Sequence, residues 1–317
     1  MKKLAVVGAT GLVGQTVMKV LNEEKLDERF EIFLFVSERS EGKVLVIKDK
    51  HYPLIKLDDR VLENMFDYAI FLTDESISRV WAAKFTKKGT TVIDNSSAFR
   101  LDTNVPLIVP EINIAKVLKG DKLIANPNCS TIQLVIILDR LKNISKFKKV
   151  IVSSYQSVSG AGRSALEDLE NHTCKVFEHG INDNIIPQIG SIINNGNCSE
   201  EEKIILESKK ILEYDFDIYA TTVRVPISFC HGESVYVEFE EDIDLSKICD
   251  VLVCDYIKLS EDLFYPSECV GSNLTYVYRL RKTGKNIIQF FVLADNLRRG
   301  AAYNAVKILG TISKQGL

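Results

Sequence analysis

The chain has 317 residues, 46% of them hydrophobic and 26% charged, with a formal net charge of −3. That length exceeds one ordinary core and suits two domains. Its basic residues are scattered, which argues against a nucleic-acid or membrane surface, and its seven cysteines lack regular spacing, which points to reduced thiols in the cytoplasm rather than a disulfide framework.

Met1-Lys2-Lys3 leads straight into an apolar segment ended by Gly8, so neither a signal peptide nor a transmembrane span is expected. Short apolar runs at Leu4–Val7, Ile32–Val36, Tyr68–Leu72, Thr91–Asp94 and Leu107–Val109 read as buried strands. Amphipathic patterns lie between several of them, clearest at Leu12–Asn22 and Ile77–Lys87. Such alternation predicts βαβ units and a parallel, doubly wound sheet of Rossmann type. A further strand, Lys122–Ala125, precedes a helix over Ile132–Leu141.

Beyond about residue 148 the strands lengthen and grow richer in β-branched and aromatic residues: Val150–Tyr155, Ile218–Val225, Ser234–Glu240, Thr275–Leu280 and Ile287–Ala294. Several alternate apolar with polar positions, which predicts a mainly antiparallel sheet with one solvated or partner-facing side. Helices are expected at Arg163–Asn171, Glu200–Leu212 and Leu245–Leu259, a long loop at His172–Ile193, and a closing helix at Leu297–Ile312. The fold class is therefore α/β, with an α+β second domain.

Gly8-Ala9-Thr10-Gly11-Leu12-Val13-Gly14 follows the first strand and opens a helix. Glycines at such a turn let the backbone approach a pyrophosphate seated on the helix N-terminus. The spacing is G-x-x-G-x-x-G, so a plain Gly-rich turn is the competing reading. After the second strand comes Ser37-Glu38-Arg39-Ser40. An acidic residue here suits the ribose hydroxyls of NAD, and arginine with small hydroxyls suits a 2′-phosphate. Arg39 between two serines makes the better phosphate cradle, which favours NADP.

Asn126-Pro127-Asn128-Cys129-Ser130-Thr131 joins a strand to a helix. Ser130 and Gln133 have capping-box spacing, so the helix should begin within two residues of Cys129. A cysteine at a helix start faces unpaired N–H groups and the positive end of the macrodipole, which favour thiolate. Cys129 is thus a candidate nucleophile, against the alternative of a small buried residue at a junction.

In the second half, Gln156 stands at a strand end before glycines that allow close ligand approach. Arg224, flanked by valines, needs an anionic partner if buried: a substrate carboxylate or an internal salt bridge. His231, in the next turn, is either an acid/base partner for Cys129 or a structural histidine. Cys230 adjoins it but points to the opposite face of an extended strand, and is the weaker nucleophile candidate. His172, Cys174 and His179 lack a paired C-x-x-C element, so no metal site is expected.

Taken in order, these segments resemble the aspartate-semialdehyde dehydrogenase family over essentially the whole chain. The motifs are Gly-Ala-Thr-Gly-Leu-Val-Gly (8–14), Asp-Asn-Ser-Ser-Ala-Phe-Arg (94–100), Val-Pro-Glu-Ile-Asn (109–113) and Asn-Pro-Asn-Cys-Ser-Thr (126–131). They continue with Tyr-Gln-Ser-Val-Ser-Gly-Ala-Gly (155–162), Arg-Val-Pro through His-Gly-Glu-Ser (224–234) and Asp-Asn-Leu-Arg-Arg-Gly-Ala-Ala-Tyr-Asn-Ala-Val (295–306). The resemblance implies NADPH-dependent reduction of L-aspartyl-4-phosphate to L-aspartate 4-semialdehyde, on the route to lysine, threonine and methionine. It implies that Cys129 forms a thioester, that His231 is the acid/base group, and that Gln156 orients the intermediate. Arg224 would hold the α-carboxylate, while Arg100, Asn128 and Lys203 would bind phosphate with Glu200 as the acidic companion. Gly8, Thr10, Gly11, Leu12, Val13 and Gly14, with Ser37, Arg39, Ser40, Ser159, Gly160 and Asn296, would serve the cofactor.

The resemblance also implies a dinucleotide domain over 1–127, rejoined by 296–317, and a catalytic and dimerisation domain over 128–295. The partner would be a second copy, with assembly to a tetramer open. The chain departs from the family at Leu72–Glu75, where a small Ser-Ala-Gly type of turn is usual, at Glu38, and at Gly232, where serine is frequent. Competing functions are an N-acetyl-glutamyl-phosphate type of reductase, against which the Asn-Cys-Ser-Thr and Gln156 contexts argue, and a non-catalytic nucleotide-binding paralogue.

Overall fold

A computed structural model describes residues 1–316, which divide into two compact units. Residues 1–127 and the chain from Ala301 onward form the first, and Asn128–Gly300 the second. The chain thus returns to the first unit at Ala301 and not at residue 296, because Asp295 accepts the main-chain N–H groups of Gly271, Leu297 and Arg298 and keeps that turn in the second unit.

The first unit carries a seven-stranded sheet of β1 (Lys2–Val7), β2 (Phe30–Val36), β3 (Val44–Ile47), β4 (Lys50–Lys56), β5 (Tyr68–Phe71), β6 (Thr91–Asp94) and β7 (Leu123–Ala125), in the order β3-β4-β2-β1-β5-β6-β7. All pairs are parallel except the β3–β4 hairpin. Side chains alternate across a strand, so Leu4 and Val6 enter one core with Val17, Leu21, Ile308 and Ile312, while Ala5 and Val7 enter another with Phe35, Phe71 and Phe85. Helix α1 (Leu12–Glu23) and the C-terminal helix Tyr303–Gln315 supply the first core, and α2 (Glu75–Lys87) the second. This is the doubly wound arrangement that the period of the sequence predicts.

Two expectations for secondary structure fail, and one element was not expected. Leu107–Val109 forms only an isolated bridge to Ala125, because its first residue alone meets the sheet edge in register. The β3–β4 hairpin has no counterpart in the sequence reading; Pro53 and exposed Val44 and Val46 obscure its alternation. The other failed expectation lies in the second unit, where helix α6 described below ends at Leu252.

That unit is built on β8 (Phe147–Gln156), β9 (Asp217–Arg224), β10 (His231–Phe239), β11 (Ile257–Ser260), β12 (Thr275–Gly284) and β13 (Ile287–Ala294), in the order β11-β12-β13-β10-β8-β9. The centre is antiparallel, but β8–β9 and β11–β12 are parallel, so the sheet is mixed. Its helices are α3 (Cys129–Leu141), α4 (Arg163–Asn171), α5 (Ser199–Leu212) and α6 (Leu245–Leu252). The residues expected to extend α6 to Leu259 instead leave it after Leu252, and Ile257 pairs with Thr275 as a strand. Helix α3 is apolar nearly all round, as a fully buried helix must be, and packs on β10, β13 and α5. Among the described residues no helix is long and apolar enough to cross a membrane.

Candidate active site

In the first unit, β1 ends in Gly8, whose φ of +89° and close approach to Leu72 exclude a side chain: a Cβ would lie 2.5 Å from the Leu72 carbonyl oxygen. At Gly14 a Cβ would lie 2.4 Å from the Gly8 carbonyl oxygen. The loop therefore lies flat on the first turn of α1. Its N-cap, Gly11, offers no side-chain acceptor, and the first turn has no acidic residue. Amides of Leu12, Val13 and Gly14 in such a turn suit an anion such as a pyrophosphate, with Thr10 half-buried beside them. The residues present fit a dinucleotide.

Beside this loop, the Gly8 N–H donates to the Phe35 carbonyl at 2.9 Å, which brings the end of β2 and Ser37, Arg39 and Ser40 into the same part of the sheet. Glu38 is paired with Lys56 at 2.9 Å, toward β4. In the departing Leu72–Glu75 turn, Asp74 caps α2 by accepting from the Ile77 N–H at 3.0 Å, and Glu75 pairs with Arg79 at 2.7 Å. The acidity there is engaged locally. Arg100 also belongs to this unit, where it donates to the Asn95 carbonyl at 2.7 Å. Asn126 opens the cysteine motif but is structural: it donates to Asn95 at 2.6 Å and accepts from Asn304 at 2.7 Å, tying in the C-terminal helix.

In the second unit, Cys129 is the first residue of α3, and its N-cap is Asn128, not Ser130. Asn128 Oδ1 accepts the N–H groups of Ser130 at 2.9 Å and Thr131 at 3.3 Å. The expected capping box fails because Gln133 turns instead to the main-chain carbonyl of His231, at 3.3 Å. Cys129 is half-buried, and a Cβ on Gly300 would come within 2.8 Å of its own Cβ, so glycine is required there for the backbone to pass the thiol.

Glu200, nine-tenths buried on α5, gathers three of the predicted residues. It accepts from Asn128 Nδ2 at 2.8 Å, from Gln156 Nε2 at 3.3 Å and from Lys203 Nζ at 3.2 Å. Glu207, one further turn pair along α5, accepts the Asn128 N–H at 2.7 Å. Glu207 escaped the sequence reading, although Glu200, Lys203 and Glu207 share the i, i+3, i+7 face of a helix.

Gln156, Arg224 and His231 lie on the inner face at neighbouring strand ends, since Gln156 is in register with Arg224. Arg224 donates to the Ser157 carbonyl at 2.7 Å; burial pulls its pKa down, opposed by the charges of Glu200 and Cys129. His231 is fully buried, and its Nδ1 takes a hydrogen bond from the Ser157 N–H at 3.0 Å, with the Ser157 hydroxyl at 3.1 Å. Burial, and then the Arg224 charge, push its pKa down to about 3. A Cβ on Gly160 would lie 2.9 Å from an Arg224 guanidinium nitrogen and 3.3 Å from His231 Nε2, so the two side chains converge there.

Ser159 and Asn296, expected to meet cofactor, are buried and bonded to each other and to this histidine's support. Asn296 Oδ1 accepts from the Ser157 hydroxyl at 3.1 Å and from the Cys230 N–H at 3.0 Å, holding Cys230 at φ +71°. Cys230 itself is buried with its pKa pushed up by desolvation, which makes it inert. Gly232 leaves room for Phe291, whose ring a Cβ would approach to 2.9 Å. Among the described residues no cluster of His, Cys, Asp and Glu could hold a metal ion.

Two family models match in tandem: "Semialdehyde dehydrogenase, NAD binding domain" over residues 3–120 and "Semialdehyde dehydrogenase, dimerisation domain" over residues 138–299. The aspartate-semialdehyde dehydrogenase of Aquifex aeolicus is 40% identical over 99% of this chain and 99% of its own length. That of Bacillus subtilis is 38% identical over 99% of this chain and 98% of its own. The crystal structure of aspartate semialdehyde dehydrogenase II complexed with ASA from Vibrio cholerae superposes with a TM-score of 0.93 at 34% identity, covering 100% of this chain and 99% of that one. With a dinucleotide loop in one unit and a cysteine, histidine and arginine gathered in the other, the chain belongs to the aspartate-semialdehyde dehydrogenase family and is an oxidoreductase of that family.

Proposed function

We propose that the protein reduces L-aspartyl-4-phosphate to L-aspartate 4-semialdehyde with NADP(H) through a thioester on Cys129, on the route to lysine, threonine and methionine. The seat of Cys129 carries this reading: it opens a capped helix within one unit that also holds Arg224 and the fully buried His231. Sulfur is the nucleophile of choice here, because it is reactive at neutral pH and its thioester readily accepts hydride. A reduced nicotinamide dinucleotide, when bound, supplies that hydride.

The chain's own residues do the rest. Asn128 and Lys203, both tied to Glu200, stand beside the helix start where the leaving phosphate of an acyl phosphate on Cys129 would be held. Arg224, anchored by one donor on Ser157, presents a planar fork suited to a carboxylate. Gln156 orients the acyl group from the strand end. For the cofactor, Arg39 with Ser37 and Ser40 favours a 2′-phosphate, and the pairing of Glu38 with Lys56 draws the competing carboxylate aside.

A homodimer follows from the outer face of the second unit's sheet. Ile151, Tyr155 and Tyr219 point outward there at 42%, 40% and 54% exposure, an apolar patch of the kind that marks a protein–protein surface. Light scattering on the pure protein checks this, and a monomer at micromolar concentration would overturn it.

The activity test is incubation of pure protein with aspartate semialdehyde, phosphate and NADP. Reduced cofactor should accumulate, and its absence would overturn the reading. Cys129→Ala should abolish turnover with the fold intact, and N-acetylglutamate semialdehyde should be a poor substrate.

A further inference from the structure

We propose that Glu207 is a positioning residue for the reaction: by accepting the Asn128 main-chain N–H, its carboxylate fixes the start of the Cys129 helix against the helix that carries Lys203. This rests on the thioester reading above and adds to it a residue that acts through Asn128. The donor and acceptor are unambiguous, since a main-chain N–H can only donate, and Glu207 Oε2 lies 2.7 Å from it.

Local sequence does not supply this bond. In a capping box, a glutamate or glutamine at N3 reaches back to the N-cap N–H. With Asn128 as N-cap, N3 of α3 is Thr131, which has neither a carboxylate nor an amide to offer. Its buried hydroxyl has no hydrogen-bond partner within the protein. Asn128 is also the first residue of the second unit, and Pro127 before it has no N–H. The missing half of the box comes from another helix, through Glu207, fully buried on α5.

Helix α5 thus holds Asn128 at two points, Glu207 on its main-chain N–H at 2.7 Å and Glu200 on its Nδ2 at 2.8 Å. With Nδ2 fixed, Oδ1 is turned to the N–H groups of Ser130 and Thr131, which completes the cap. The next residue is confined as well: a Cβ on Gly300 would lie 2.8 Å from Cβ and 3.1 Å from Cα of Cys129. The backbone at 128–129 is therefore gripped by α5 and by the Gly300 turn, which leaves the thiol little freedom to shift.

Glu200, Lys203 and Glu207 follow at i, i+3 and i+7, on one face of α5. Lys203, paired with Glu200 at 3.2 Å, is the cation assigned above to the leaving phosphate. One rigid helix face therefore carries a phosphate ligand and also anchors the nucleophile. Glu200 takes one Nδ2 hydrogen of Asn128, which leaves the second for a phosphate oxygen. The spacing between sulfur and phosphate is set by this anchorage, and an error of about 1 Å there costs on the order of 100-fold in rate.

Two variants of the full chain separate reach from charge. Glu207→Gln keeps an acceptor oxygen at the same reach without the charge. Glu207→Asp keeps the charge and draws the carboxylate back by one methylene. Reach should decide. With aspartate semialdehyde, phosphate and NADP, Glu207→Asp should lower kcat by about 10-fold or more and raise the KM for phosphate by about 10-fold. The KM for the semialdehyde, whose carboxylate is assigned to Arg224 on β9, should stay within about 2-fold. Glu207→Gln should stand about 10-fold or more above Glu207→Asp in kcat/KM for phosphate. The readout without turnover is the pH midpoint of Cys129 alkylation by iodoacetamide, followed on its peptide. It should rise by about half a pH unit or more in Glu207→Asp, as the helix start loosens, and should not rise in Glu207→Gln.

Wild-type behaviour of Glu207→Asp in both assays would overturn the proposal, as would Glu207→Gln impaired as deeply as Glu207→Asp. So would a fall in kcat with both KM values and the alkylation midpoint unchanged, the mark of a smaller folded fraction. If thermal melts show that one variant does not fold, the other decides by the same criteria. If wild type fails to turn over aspartate semialdehyde, the activity reading fails, and the alkylation midpoints still decide the role of Glu207.

Discussion

Gln133, one turn into the helix that Cys129 opens, donates to the main-chain carbonyl of His231 at 3.3 Å. The helix carrying the thiol and the strand carrying the imidazole are thereby bonded directly, through a side chain as fully buried as His231 itself, while Cys129 stays half-buried. The same amide side chain also acts on the carboxyl of Glu233, two residues beyond His231 on the same face. Gln133→Leu keeps the volume and removes the tie. It should cost about 1 to 2 kcal/mol of stability in denaturant unfolding, since a buried carbonyl loses its donor. In kinetics it should lower kcat more than it raises KM, because the damage is to alignment and not to substrate contacts; a pure KM effect would contradict this.

Glu233 is fully buried, and burial drives its pKa well above the usual carboxylate range. The folded protein therefore prefers the protonated acid. Below the unfolded-state pKa the group is protonated in both states and costs nothing; above it, the unfolded chain gains by ionising, so stability falls as pH rises toward the folded pKa. Glu233→Gln, neutral at every pH, should match wild type near about pH 4 and show a higher Tm near about pH 8. Thermal melts across that interval check the sign. A lower Tm for the glutamine variant at the alkaline end would mean that the ionised carboxylate is stabilised by its site.

Arg39 and Glu38 stand on one exposed turn, where Glu38 is paired with Lys56 at 2.9 Å. Arg39→Ala should raise the KM for NADP by about 10-fold or more, as expected for loss of a charge-assisted phosphate contact, while leaving the KM for NAD nearly unchanged. Lys56→Ala frees Glu38 and should shift preference toward NAD. Initial rates with both cofactors measure this directly.

Asp168, at a buried position on α4, organises the start of the long loop 172–193. It accepts from the Thr173 hydroxyl and from the N–H groups of Lys175 at 3.0 Å and Val176 at 2.6 Å. Burial alone would raise its pKa, but the Thr173 hydroxyl and the amides of Val176, Lys175 and Phe177 hold it down to about 2. A depressed carboxylate stabilises the fold above its unfolded pKa, and that contribution is lost as pH falls toward 2. Asp168→Asn should therefore expose the loop to limited proteolysis at neutral pH. The difference from wild type should vanish in strong acid, as hydrogen exchange of the 175–177 amides would report.

Periodicity and turn chemistry made much of this molecule legible from its sequence. Apolar strands with glycine punctuation foretell the wound sheet, and a cysteine after Asn-Pro-Asn foretells a thiol at a helix start, because both follow from local backbone geometry. The ordered motifs carry the family, since each is contiguous in the chain. Register and long-range pairing were not legible. Nothing local shows that Gln133 reaches His231 rather than its own helix N-terminus, or that Asn128 is the cap, because both choices depend on what the fold delivers opposite them. The parallel pairing of β8 with β9, which puts Gln156 beside Arg224, follows from the crossover through α5 and not from alternation. His231 is the clearest case. The sequence determined that a histidine would be there; only the tertiary structure buries its ring and sets the Ser157 N–H against Nδ1 at 3.0 Å, because the two residues are 74 apart in the chain and meet only through strand pairing.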